Sequence, residues 1–248
     1  MRIGKLLLVL LFAGLVQACV TVDPEQDQNE KASAVNVQLG IGYLQQNNLE
    51  LAEEKLSKAL RQDPESPSAH NAYAILQERL KEIDKAEYHY EKATELDPND
   101  SQAANNYGTF LCRNGRERES EKYFLKALDN PLYSTPEYAY TNAAVCLLRV
   151  REVKQAQEYL RRALTERSDF APALLAMAGL YFDEKDYDQA QAYLDRFHLA
   201  AQPTARSLWL SIRTALESDP NTDVSELVQR LGELYPDSRE YQLWKGFE

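Results

Sequence analysis

A spacing of 34 residues is written into this chain several times over, and it restricts the fold more than any other feature. Small residues recur at Gly40, Ala74, Gly108, Ala144 and Ala178, in steps of 34, 34, 36 and 34. Twelve residues further on, the small set repeats as Ala52, Ala86, Ser120, Ala156 and Ala190. A third column reads Ala59, Ala93, Ala127 and Ala163, with Phe197 in the fifth copy. The fourth is large and apolar: Leu56, Tyr90, Phe124, Leu160 and Leu194. Pro64 and Pro98 close the first two copies, because a proline lacks the donor that a helix interior needs. Two antiparallel helices per copy account for these columns: small residues on one helix let large residues of its partner come close.

Leu39, Gly40, Tyr43, Ala52, Ala59 and Pro64 resemble the tetratricopeptide repeat, which has the same period. The resemblance implies an all-α, right-handed superhelix with a concave face lined by the first helix of each pair. Six helical hairpins are expected at 33–66, 67–100, 101–134, 137–170, 171–204 and 205–238, followed by a C-terminal capping helix over Ser238–Phe247 that carries Tyr241, Leu243 and Trp244. Such copies bury apolar surface only against their neighbours, so 33–248 should behave as one continuous unit. The sixth copy is degenerate, with Ile212, Val224 and Leu231 where small residues are expected. The 36-residue step holds its two extra residues within Asp129–Pro136, which is either a neutral insertion or a ledge that displays Tyr133.

Before the repeats, Arg2 and Lys5 precede an apolar run from Leu6 to Val16, about half of the roughly 20 residues a spanning helix requires. Residues 1–18 read as a signal peptide. Val16-Gln17-Ala18-Cys19 resembles the lipobox of bacterial lipoproteins, which implies a covalent lipid on Cys19. By the same resemblance Val20, standing where Asp would signal retention, implies an address in the inner leaflet of the outer membrane, facing the periplasm. Residues 19–32 are rich in Asp, Glu, Gln and Asn and are expected to form a disordered tether. Loss of Arg2 and Lys5 with the signal takes the formal charge from −11 to −13, which disfavours nucleic acid and anionic lipid surfaces as partners.

Asn105-Asn106-Tyr107-Gly108-Thr109-Phe110-Leu111-Cys112, Asn130-Pro131-Leu132-Tyr133-Ser134-Thr135-Pro136 and Asn142-Ala143-Ala144-Val145-Cys146 resemble the PilF/PilW family of type IV pilus biogenesis lipoproteins. That resemblance implies a pilotin, with the secretin subunit of the pilus as partner and with a role in its outer-membrane localisation and multimerisation. A subunit of another envelope complex, such as an outer-membrane protein assembly factor or a cell-wall enzyme adaptor, is the competing reading.

The second, fifth and ninth residues of each copy are expected to face inward. They give a partner-binding groove of Val37, Ile41, Asn71, Ile75, Asn105, Thr109, Tyr138 and Val145, apolar with flanking amides suited to a peptide backbone. No lysine or arginine stands among these positions in the first five copies. Val37, Ile41 and Ile75 could instead pack between repeats, and Asn105, Asn106 and Asn142 could instead hold the stack together. Cys112 and Cys146 occupy neighbouring positions of successive first helices and are either a disulfide or two buried small residues. His70, His89 and His198 are scattered along the chain, so no metal site is expected. With no phosphate loop, nucleophile elbow or spaced metal ligands, the expectation is a scaffold with no catalytic residues, no cofactor and no small-molecule substrate. Cys19→Ala should move the protein from the membrane to the soluble periplasmic fraction, and unchanged membrane fractionation would overturn the lipid anchor.

Overall fold

A computed structural model describes residues 24–246, so the signal peptide and Cys19 lie outside the described residues. Among the described residues there are thirteen helices and no strand. They are α1 (Pro24–Gln45), α2 (Leu49–Gln62), α3 (Pro67–Arg79), α4 (Ile83–Leu96), α5 (Ser101–Arg113), α6 (Glu117–Leu128), α7 (Pro136–Arg149), α8 (Val153–Glu166), α9 (Ala171–Asp183), α10 (Tyr187–Ala200), α11 (Ala205–Ser218), α12 (Ser225–Leu234) and α13 (Arg239–Lys245). Each odd-numbered helix up to α11 packs on the even-numbered helix after it and on the odd-numbered helix of the next copy. The described residues form six stacked helical hairpins closed by a short helix, as the tetratricopeptide resemblance implies.

The small and large columns meet inside each hairpin. A Cβ at Gly40 would lie 2.4 Å from Leu56 Cγ, and one at Gly108 would lie 2.9 Å from Phe124 Cε1. Ala74, Ala144 and Ala178 belong to the same first-helix column, and they and the large residues opposite them are buried. Ser120, the odd member of its alanine column, is buried without loss because its hydroxyl donates to Glu117 O at 2.7 Å. In the sixth copy the columns depart from this pattern. Ile212 stands in the small column while Val228 stands in the large one, and both join Leu208, Val224 and Leu231 in a terminal core against Trp209, Tyr241 and Trp244.

The turn inside each of the first five hairpins contains one residue in the left-handed region: Asn47, Lys81, Gly115, Arg151 and Lys185, with φ between 57° and 79°. Only the third copy uses glycine there. The other four accept a local cost of roughly 1–2 kcal/mol, which the packed helices on either side impose.

Cys112 and Cys146 are joined by a disulfide with Cα atoms 5.8 Å apart. It links α5 to α7 across the 36-residue step and closes a 34-residue loop, worth about 4 kcal/mol on the chain-entropy model. The linker of that step displays Leu132, which is 88% exposed, whereas Tyr133 is turned inward against Ala104, Ala127 and Ala139. The ledge therefore exposes a different residue from the one the sequence suggested. Asn130 stiffens it by accepting from Leu132 N at 3.0 Å and donating to Asn99 O at 3.2 Å.

Two other expectations are corrected. Residues 24–32 are not a disordered tether: α1 begins at Pro24 and is 22 residues long. A proline at the first position, Glu25 and Asp27 in the first turn, and the Asp27–Lys31 pair at 2.6 Å all favour this extension. It also grows from a helix already nucleated by packing, which removes the nucleation cost that made the isolated segment read as disordered. His70 and His89, 19 residues apart in sequence, are brought together by α3 and α4 with Nδ1 atoms 2.8 Å apart. Pro64 O can only accept, so His70 Nε2 donates to it at 3.0 Å and, in the neutral ring, His70 Nδ1 accepts from His89. The two rings thereby satisfy each other.

Gly40→Ala gains about 1 kcal/mol of helix propensity and incurs about 1–3 kcal/mol of overpacking against the branch point of Leu56. A net loss of about 1 kcal/mol and a Tm lower by about 2–4 °C are expected in thermal unfolding. Burial, then the neighbouring His70, lowers His89 to about 4, against about 6.5 for an unfolded chain. Between those values the unfolded chain binds more protons, so this stability is complete above about pH 6.5 and is lost as the pH falls toward 4. His89→Gln should lose less stability over that descent than the unsubstituted chain does; equal losses would show that His89 carries none of it.

A two-part groove along the first helices

The first helices α3, α5, α7 and α9 present one continuous groove, divided into two cavities that share Asn142. The first, of about 440 Å³, is lined by amides and hydroxyls, among them Gln102, Asn105, Asn106, Thr109 and Asn142. The amides bond to one another from copy to copy. Asn106 Nδ2 donates to Asn71 Oδ1 at 3.1 Å, and Asn142 Nδ2 donates to Asn105 Oδ1 at 3.0 Å. Gln102 Nε2 donates to Asn106 Oδ1 at 3.0 Å. Holding the amides in this chain fixes their orientation, so a bound backbone would meet preset donors and acceptors.

The wall of this cavity is a polar cluster. Arg113 pairs with Glu78 at 3.0 Å, and the Tyr90 hydroxyl donates to the same carboxylate at 3.0 Å. Burial and that carboxylate push the Tyr90 phenol up, which keeps it a neutral donor. Arg113 belongs to a column with Arg79 and Arg149, each closing the first helix of its copy and reaching back to the copy before. Arg79 Nη1 donates to Leu44 O at 2.5 Å, and Arg149 Nη1 donates to Cys112 O at 2.6 Å. A cation at these carbonyls caps the preceding first helix and complements its dipole. This column is visible in the sequence at spacings of 34 and 36, at a repeat position outside the inward-facing set.

Of the expected groove residues, Ile75, Asn105, Thr109 and Tyr138 line the first cavity and Val145 lines the second. Asn71 is tied to the first cavity through Asn106. Ile41 is exposed on α1, outside both. Val37 is a correction: at 5% exposure it is buried in the core shared by the first and second copies, with Ala69, Ala72 and Leu76. The same repeat position is buried in the third copy as Asn105, 4% exposed and satisfied by Asn142. This position lies at the seam between successive first helices, so an apolar side chain is drawn inward and an amide bridges. Asn105, Asn106 and Asn142 thus serve the stack and the groove at once.

The second cavity, of about 1020 Å³, is more apolar and lies over α7 and α9, with Val145, Leu148, Leu175 and Ala176 in its lining. Its rim carries Arg149, Arg151, Lys154 and Arg206, together with Asp183 and Glu184. Arg149, Arg151 and Lys154 stand outside the second, fifth and ninth positions of their copy, and Arg206 is the second residue of the sixth copy, so the absence of Lys and Arg at the inward positions of the first five copies holds while the rim is basic. Among the described residues no group of three or more potential ligands is arranged to hold a metal ion.

A stack of small-against-large hairpins with a groove along its first helices defines a tetratricopeptide-repeat protein, and models of the tetratricopeptide repeat match residues 37–101, 89–122 and 147–216. The type IV pilus assembly protein PilF of Pseudomonas aeruginosa is 34% identical over 250 residues, 98% of each chain. A solved structure of Pseudomonas aeruginosa PilF superposes with a TM-score of 0.76, covering 89% of this chain and all of that one, at 34% identity. The crystal structure of PilW, described as a widely conserved type IV pilus biogenesis factor, superposes with a TM-score of 0.78 at 29% identity, covering 85% of this chain and 97% of that one. The chain belongs to the PilF/PilW family of tetratricopeptide-repeat proteins of type IV pilus biogenesis.

Proposed function

We propose that the chain is a non-enzymatic assembly factor of the type IV pilus, a pilotin anchored by a lipid on Cys19 in the inner leaflet of the outer membrane. It binds the secretin subunit and promotes its localisation and multimerisation. The observation that carries this reading is the match to PilF over 98% of both chains. The groove supplies the means. Its oriented amides suit the backbone of an extended partner segment, while Ile75 and Tyr138 offer apolar anchors beside them. The contact falls on the first half of the stack, where Ile75 of the second copy and Asn106 of the third meet.

Replacing Ile75→Asp together with Asn106→Ala places a charge on the groove wall, where Ile75 also packs against the cores of the adjoining copies, and removes the bond to Asn71, so unchanged helical content is a required control. Heat-stable secretin multimers in separated membranes should fall at least about tenfold while helical content by circular dichroism stays unchanged. Deletion of the gene sets the reference, with secretin monomer present and multimers absent or mislocalised. Normal multimers and normal twitching in the deletion strain would overturn the pilotin reading. Normal multimers in the double variant alone would move the contact elsewhere on the chain.

A further inference from the structure

The second cavity differs in chemistry from the amide-lined one. From Ala171 to Phe182, α9 carries no charged and no amide side chain. A helix that is apolar all round is stable in water when every side is covered. Here the face bearing Leu175, Ala176 and Gly179 remains open to the cavity, across from Val145 and Leu148 of α7. A Cβ at Gly179 would meet nothing within 4 Å, so the floor is recessed there and can admit a side chain from outside. The volume of about 1020 Å³ is at the upper end of small-ligand sites and fits a run of peptide side chains.

The charges at its edge indicate what that run carries. Arg206 opens α11, the repeat sets it beside Pro172 at the start of α9, and it has no partner among the described residues. Arg151 and Lys154 are likewise unpaired, but Asp183 and Glu184 stand at the same end of the groove as they do. One end of an apolar cleft is therefore purely cationic and the other is mixed, in a chain whose net charge is −11. We propose that the cavity of copies four to six is a docking site for an extended apolar segment of a partner protein that carries a carboxylate beside Arg206. The site rests on the reading of the chain as an interaction protein, and it is separate from the contact at Ile75 and Asn106.

The test titrates the detergent-solubilised full-length chain into a fluorescein-labelled peptide, Leu-Val-Leu-Ala-Leu-Asp-Asp, followed by anisotropy. Saturable binding is expected, and Gly179→Phe and Arg206→Glu should each weaken it at least about tenfold. A Cβ at Gly179 meets nothing within 4 Å, so Gly179→Phe projects into the recess, and circular dichroism checks that both variants keep their helices. A peptide ending in two lysines should bind the unsubstituted chain weakly and regain affinity for Arg206→Glu. No saturation by about 1 mM, variants that bind as the unsubstituted chain does, or equal affinity for the lysine-ended peptide would overturn the site. Displacement of the peptide by phosphatidylglycerol vesicles would assign the cleft to a lipid surface and overturn it as well. Failure here alongside loss of multimers in the Ile75 and Asn106 double variant sinks this site alone; peptide binding as expected alongside normal secretin multimers in the deletion strain sinks the pilus-assembly reading alone.

Discussion

Everything in this chain hangs on the contact of a small residue with a large one across each hairpin. Gly40 against Leu56 and Gly108 against Phe124 leave no room for even a methyl group. That closeness sets the helix separation in one copy, and therefore the seam offered to the next copy. Because each copy is buried only by its neighbours, an error in one seam would propagate along the stack. The sixth copy departs from this rule, with Ile212 and Val224 in small columns and Val228 in the large one, and its core is closed by packing against Trp209, Tyr241 and Trp244.

The step between the third and fourth copies departs from the period, and several constraints converge there. The disulfide ties α5 to α7, Arg149 reaches back to Cys112 O, and Asn142 bridges to Asn105. With two extra residues in the linker, register between these copies is not imposed by the chain alone. Covalent, ionic and amide links supply it instead. The two cavities meet at the same place, sharing Asn142, so the junction also fixes how the polar and apolar halves of the groove align.

The period, the pairing of small and large columns and the cap were legible in the sequence because each is enforced by sterics repeated over many copies. The groove was legible only in part. Ile75, Thr109, Tyr138 and Val145 were placed by repeat position, but Val37 was lost to the core because position alone does not say whether a seam residue turns in or out. The basic rim was missed for a different reason. Arg151, Lys154 and Arg206 lie on turns and helix starts, where direction depends on how copies stack. The His70–His89 pair is likewise a product of packing: no local signal joins residues on separate helices of one hairpin.

The extension of α1 changes the mechanics of display. A flexible tether lets a domain sample a hemisphere, whereas nine further helical residues, 24–32, form a stiff strut about 14 Å long that is continuous with the first repeat. Under the lipid anchor proposed above, four residues separate Cys19 from Pro24, a span of at most about 17 Å. The groove would then be confined to a thin layer above the leaflet, with few tilt angles open to it. Partners emerging from that leaflet would meet it at high local concentration, and those free in the surrounding space would meet it rarely.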